Sequence, residues 1–424
     1  MILRARAVLP ISSPPVSDGG VIVHDDRLVS VGRWKDLSSS AYEEVIDLGE
    51  TVLMPGLINA HCHLDYTTMA GSFTPPKKFT DWLKLITAAK GQLTYSEFAE
   101  SWIAGAKMLL RTGTTTVGDI ENVPELLPDI WDATPLRVIS FLEMTGVKSR
   151  RSPRAILEEA LNRLTNLPVS RCGAGLSPHA PYSTLPELIT LSARVARDRH
   201  WPFAIHVAES PDEFDMFMRG RGEMFDWLRR NERDMSDCGL GSPVAHLHRA
   251  GALQPNLLAI HVNYLAPGDT ALLGGAGVSV VHCPRSHEFF KHDPFPFSQL
   301  KDAQVNICLA TDSLASVSKS PQPLELNLFE EMRLFADNRP EIAPQEIVRM
   351  TTINAAQALG LRGQVGELTP GTFADIIALP FEGKISHVHE TIVHHRGAVA
   401  GNMISGSWAI APAGMALAGT NERI

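Results

Sequence analysis

The chain has 424 residues, 44% apolar and 20% charged, the composition of a folded globular protein rather than a disordered one. Its net charge of −9 provides no basic footprint for nucleic acid, and no apolar run reaches the length of a membrane span. MILRARAVLPISS lacks the charged region, apolar core and cleavage site of a signal peptide. The five cysteines, Cys62, Cys172, Cys238, Cys283 and Cys308, form no C-x-x-C pair, so reduced thiols and a cytoplasmic location are expected.

Residues 1–53 read as short strands and turns. Val21-Ile-Val-His, an Asp25-Asp26 turn and Leu28-Val-Ser-Val-Gly form a hairpin pattern, and Glu44–Leu48 and Thr51–Met54 continue it. From residue 57 strands alternate with helices. The expected strands are Leu57–His61, Thr114–Asp119, Leu136–Leu142, Gly173–Ser177, Phe203–His206, Leu257–His261, Val278–His282 and Val305–Ala310. The helices include Phe98–Leu110, Pro153–Leu164 with Ser152 as its N-cap, Leu185–Arg199, Leu324–Asn338 and Pro344–Leu359. Near-continuous apolar strands need both faces covered, so the economical fold is α/β: a (β/α)8 TIM-type barrel. No Gly-rich phosphate turn supports a doubly wound sheet. After residue 360 the texture returns to strand and turn. The expected organisation is a barrel over 57–362 and a small β-sandwich-like domain built from both chain ends, 1–56 and 363–424. The last dozen residues read as a loose terminus.

In such barrels reactive groups sit where strands end. The strand-end residues are His61 and His63, Asp119, the Ser177-Pro-His179 run, His206, His261, His282 and Asp312. His61 and His63, at i and i+2, share one strand face, with Cys62 pointing the other way. Two imidazoles on one face can hold one side of a transition-metal ion. Three other patterns are expected to be structural or surface features. His246-Leu-His248 lies in a helix pattern, His387-Val-His389 falls in the C-terminal β module, and His394-His395 would face opposite ways.

Pro55-Gly-Leu-Ile-Asn-Ala-His-Cys-His63, His206-Val-Ala-Glu209, His261, His282-Cys-Pro-Arg-Ser286 and Ala310-Thr-Asp-Ser313, in this order, resemble the amidohydrolase superfamily. More closely they resemble its mononuclear deaminase branch. The resemblance covers nearly the whole chain. It implies one divalent metal per chain, zinc with ferrous iron as the alternative, held by His61, His63, His206 and Asp312. It further implies that His261 lies beside the attacking water, Glu209 shuttles protons and Asp312 acts in catalysis. Binuclear relatives carry a carboxylated lysine at the fourth strand. The run Gly173–Tyr182 has none, which favours one metal and deamination.

Ser177–Ser183 resembles the loop of methylthioadenosine and S-adenosylhomocysteine deaminases, and Phe79–Leu83 their Trp-Leu segment. Phe141–Gly146 and His282–His287 resemble aminodeoxyfutalosine deaminases; His287 stands where many relatives have asparagine. Trp82, His179, Glu143, His282 and Ser286 are therefore the expected substrate contacts. Where methylthioadenosine deaminases carry a glutamate for the ribose hydroxyls, this chain has Lys90-Gly-Gln92. The implied activity is deamination of an adenine-type nucleoside to the inosine-type product and ammonia. The alternatives are hydrolysis of another heterocycle (guanine, cytosine, an aminotriazine or its chloro analogue) or of a cyclic amide such as imidazolonepropionate. A small-molecule substrate and a homodimer through barrel helices are the expected partners, with no nucleic acid and no membrane.

Overall fold

Both ends of the chain contribute to one sheet. The computed structural model describes residues 1–38, 44–147, 151–168, 170–413 and 415. The N-terminal strands are β1 (Ile2–Val8), β2 (Val16–His24), β3 (Arg27–Arg33), β4 (Val45–Asp47) and β5 (Thr51–Pro55). The expected hairpin is β2–β3, with His24 opposite Arg27 and Asp25 at φ 52°, as a two-residue turn requires. Eight parallel strands follow: β6 (Leu57–Cys62), β7 (Thr114–Glu121), β8 (Arg137–Met144), β9 (Gly173–Pro178), β10 (Phe203–Val207), β11 (Leu257–His261), β12 (Ser279–His282) and β13 (Asn306–Leu309). β14 (Ile376–Pro380), β15 (Gly401–Ile404) and β16 (Ser407–Ile410) then return to the first sheet, whose order is β16-β15-β14-β5-β1-β2-β3 with β4 on β1. The expected loose terminus falls almost wholly outside the described residues.

The strands β6 to β13 neighbour one another in sequence order and close into a barrel at one seam. There Cys62 bridges to Asp312, and the Asp312 N–H donates to the His61 carbonyl at 3.3 Å. The Asn59 side chain replaces missing ladder bonds, donating to Thr311 Oγ1 at 2.8 Å and accepting from the Thr311 N–H at 3.1 Å. Inside, Ile58, Ala60, Ile120, Phe141, Ala204, Ile260, Val281 and Ala310 pack together. Helix Ile353–Ala358 plugs the end where the strands begin, adding Ala355 and Ala356 to that core. The alternate residues, such as Val138, Phe203, Ile205, Ala259 and Leu309, pack outward with Trp102, Leu188 and Phe329 of the surrounding helices.

Two expectations change. The helix expected over Pro344–Leu359 is two helices, Pro344–Met350 and Ile353–Ala358. The hydroxyls of Thr351 and Thr352 bond back to the Val348 carbonyl at 3.1 and 2.7 Å, and the Thr351 carbonyl is taken by the Ile58 N–H. The His387–His389 segment is not β structure: it lies in a 3-10 turn, Ile385–His387, running into helix Val388–Val393. That helix buries Val388, Ile392 and Val393 in the barrel's outer core. Among the described residues no helix is long and apolar enough to cross a membrane.

Candidate active site

At the carboxyl ends of the strands lies a cavity of about 330 Å³. Side-chain parity along each strand decides which polar groups reach it. On β10, Phe203, Ile205 and Val207 pack outward, so His206 points inward with Ala204. On β8, Ile139 and Phe141 face the interior, and Glu143 follows them. On β11, Leu257 and Ala259 pack outward, which would carry His261 outward too. His261 instead adopts φ 77°, a left-handed conformation that side chains avoid, and so reaches the cavity. The ladder of β6 slips between Asn59 and Cys62; Cys62 faces the outer core as expected, and His63 lines the cavity. Asp312, at φ 54°, continues the inward phase of Cys308 and Ala310.

One nitrogen from each of His61, His63 and His206 lies within 4.8 Å of the others, and His61, His261 and Asp312 form a second such group. His61 Nε2 is 3.4 Å and His63 Nε2 3.7 Å from Asp312 Oδ1. Among the described residues, both ring nitrogens of His61 and Nδ1 of His63 are buried with no hydrogen-bond partner. His206 Nδ1 meets the His179 carbonyl at 3.1 Å, which leaves its Nε2 as a free lone pair, the arrangement of a metal-ligating imidazole. Three imidazoles and a carboxylate, all buried and clustered within ligand reach of one another, suit a divalent transition ion.

Electrostatics follow burial. Removal from water lowers His63 and His261 to about 3 and holds His206 well below its ordinary value, so these imidazoles are neutral, as metal ligation needs. At Asp312 burial opposes ionisation, but the contact with His61 and the other histidines outweighs it and holds the carboxyl far below its usual range. Glu209 behaves oppositely: burial, then Asp312 and Glu213, push its carboxyl well up. Its Oε1 is 3.5 Å from His261 Nε2.

The opposite wall is largely apolar, with Trp82, Leu83, Ile86, Trp227 and Leu228. His179 and Glu143 also line it, with His179 Nε2 3.8 Å from Glu143 Oε1. His282 and Ser286, expected as substrate contacts, do not reach this wall. On β12, Val281 and Cys283 face inward, so His282 points outward and stacks on Phe295 at 3.9 Å between centroids. Ser286 is buried on helix Pro284–Phe290. Asp119 is also outward: it accepts from Trp102 Nε1 at 2.8 Å and from the Leu64 N–H at 2.9 Å. His246 is buried against Phe217 at 4.7 Å, away from the cavity, and His248 is exposed. Sequence reasoning did not assign Lys90, Tyr66 or Tyr182 to the cavity, although Lys90-Gly-Gln92 and the Ser177–Ser183 loop were noted. Lys90 Nζ is 3.7 Å from Glu143 Oε2 and bonds Asn122 Oδ1, and Tyr66 stacks on His63 at 5.2 Å. The places of Lys90 at the missing glutamate and of Tyr182 in the Ser177–Ser183 loop were the available signals; nothing local marks Tyr66.

Comparison with known proteins adds to this geometry. The family model described as "Amidohydrolase family" matches residues 52–408. The chain belongs to the amidohydrolase family. This amidohydrolase is 30% identical over 376 residues to a 5-methylthioadenosine/S-adenosylhomocysteine deaminase of Syntrophobacter fumaroxidans, covering 86% of this chain and 80% of the relative. Among solved structures, an adenosine deaminase from Xanthomonas campestris with bound zinc superposes with TM-score 0.82 at 22% identity, covering 96% of this chain and 92% of that one. Helicobacter pylori aminofutalosine deaminase in complex with methylthio-coformycin superposes with TM-score 0.85 at 21% identity, covering 96% and 100%. At these identities the two structures speak to the fold.

Proposed function

We propose that this amidohydrolase is a zinc-dependent deaminase of an adenine-type nucleoside, releasing the inosine-type product and ammonia. The carrying observation is the placement of Glu209, a buried carboxyl whose pKa burial pushes well above its ordinary value, 3.5 Å from His261 and in the same cavity as His63, His206 and Asp312. The 30%-identical relative named for methylthioadenosine and S-adenosylhomocysteine supports the nucleoside class, and the zinc-bound neighbour supports the ion.

His61, His63, His206 and Asp312 would hold the ion. When bound, it supplies a Lewis acid that brings the pKa of water toward neutrality. The protein does the rest. His261 and Asp312 orient the attacking water. Glu209 donates a proton to the ring nitrogen as water adds at the amino-bearing carbon, recovers one from the attacking water, and passes it to the departing amine. Without that proton the nitrogen would have to leave as an amide anion. Trp82 walls the base, while His179 and Glu143 meet the polar remainder of the substrate.

The test is ammonia release from zinc-loaded protein, offered adenosine, 5′-deoxyadenosine, methylthioadenosine, S-adenosylhomocysteine, guanine and cytosine, with metal analysis of the same sample. Turnover confined to adenine nucleosides is expected. A fully loaded protein that turns over none of them ends the nucleoside reading.

A further inference from the structure

Glu209 sits just past the end of β10, where regular structure no longer holds the chain. Ala208 before it is left-handed at φ 52°, a conformation costing about 1 kcal/mol or more that neighbours must hold in place. The Glu209 peptide is fixed by side chains from two directions. Its N–H donates to Glu213 Oε2 at 2.9 Å, and the Ala208 N–H donates to Glu213 Oε1 at 3.0 Å. Its carbonyl accepts from Asn263 Nδ2 at 2.9 Å. Asn263 lies beyond β11, after a second left-handed pair, His261 and Val262, and its own N–H returns to the Ala208 carbonyl at 3.0 Å.

The Asn263 amide continues to a third element. Its Oδ1 is 3.1 Å from Nδ1 of His287, on helix Pro284–Phe290 beyond β12. The hydrogen-bond roles follow by elimination. A carbonyl can only accept, so Asn263 must present its NH2 to Glu209 and its oxygen to His287. His287 Nδ1 must then carry the proton. Burial lowers His287 to about 4, against a hydrogen bond with the Asp293 backbone that raises it, so the ring is neutral at ordinary pH. Glu213 anchors the peptide from within its own segment. The His287–Asn263 strut anchors it across two other strand ends.

We propose that His287 is a positioning residue for Glu209, acting through Asn263. The proposal rests on the reading of Glu209 as the proton-handling group. Loss of the strut frees the Glu209 carbonyl to turn. The carboxyl then leaves its reach of the ring nitrogen without altering the cavity wall that binds substrate. Such misplacement lowers kcat more than it raises KM.

The decisive comparison is His287→Leu against His287→Asn in the metal-loaded full chain. Asparagine presents its Nδ2–H from close to the place of the histidine Nδ1. We expect His287→Leu to lose about tenfold or more in kcat with KM changed by less than about threefold and metal content unaltered. His287→Asn should retain wild-type kcat within about threefold, and His287→Leu/Asn263→Ala should be no worse than Asn263→Ala alone. A His287→Leu enzyme with wild-type kcat, or a His287→Asn enzyme as impaired as the leucine variant, overturns the proposal. Histidine-selective ¹⁵N spectra provide an arm independent of turnover. His287 should be protonated at Nδ1, and Asn263→Ala should shift that resonance; a bare Nδ1 in the wild type removes the strut. If wild-type protein deaminates no adenine nucleoside while the spectra show Nδ1–H, the substrate reading has failed and the strut has not.

Discussion

The two ends of the barrel bury charge in opposite ways, and β8 carries one example of each. At its start Arg137 is enclosed and fully partnered. Its guanidinium lies 3.4 Å from Asp375 Oδ2, donates to Ser405 Oγ at 3.0 Å and covers the Phe373 ring at 4.0 Å. Asp375 in turn accepts the Ser405 N–H at 2.8 Å. At the other end of the strand, among the described residues, Glu143 Oε2 has only the Lys90 ammonium at 3.7 Å, and both nitrogens of His61 and Nδ1 of His63 are buried with no hydrogen-bond partner. Each unmet buried group costs about 1–3 kcal/mol. The end where the buried charges are paired joins the barrel to the second sheet. Under the proposed function, the groups of the other end find their partners in an ion and a substrate. Three left-handed strand ends, at Ala208, His261 and Asp312, add backbone strain at that same end.

The sharpest way to break this contrast is to remove the ion proposed for the cavity end. Dialysis against a chelator should abolish ammonia release, and added zinc should restore it, because deprotonated ligands bind the ion reversibly. Full activity in a sample shown by metal analysis to be metal-free would refute the metal-centred reading. Next in size is Glu209→Gln. It should keep its metal and lose about 10²–10⁴-fold in kcat, the usual contribution of a positioned acid–base group. Near-wild-type turnover would take the proton-handling role away from Glu209.

Much of the strand-end chemistry was legible because it is local. An apolar run ending in His, Glu or Asp is visible in one pass, and His61, His63, His206, Glu209, His261 and Asp312, each marked that way or by the motifs around it, come together at one end of the barrel. What was not legible was side-chain direction. His282 ends its strand as His206 does, yet parity sends it outward onto Phe295, whereas His261 reaches the cavity only through its positive φ. The slip in β6 that accompanies the turn of His61 and His63 depends on Asn59 and Thr311, 252 residues apart in sequence. Helix Val388–Val393 lies inside the tail expected to have strand-and-turn texture, and its helical form is decided by packing against helices Leu328–Asn338 and Pro344–Met350, with His395 on Phe329 at 4.7 Å. Lys90 and Tyr66 reach the cavity through Asn122, another long-range contact.

The end with the paired charges makes the complementary prediction. Arg137→Met leaves the Asp375 carboxylate buried without its cation, which should cost about 3–5 kcal/mol in stability. Activity per folded molecule should be unchanged, because Arg137 lies at the far end of the strand from the cavity. Urea unfolding alongside turnover checks both parts, and a large fall in kcat at full folding would mean that the two ends are coupled.

The smallest effect sharpens the line between a structural histidine and a ligand. His246 is buried against Phe217. Burial, opposed by Asp237, lowers its pKa to about 4 from the ordinary 6.5. Between those values the unfolded chain binds more protons than the folded one, so stability is complete above pH 6.5 and falls as pH drops toward 4. The loss amounts to about 2 kcal/mol between pH 7.5 and 5. His246→Gln should remove that part of the pH dependence, flattening the difference between urea midpoints at the two pH values. Metal content and kcat should stay at wild-type levels. The same variant thus separates the two kinds of buried histidine. A fall in bound metal would place His246 among the ligands, and an unchanged pH slope would mean that it does not titrate on unfolding.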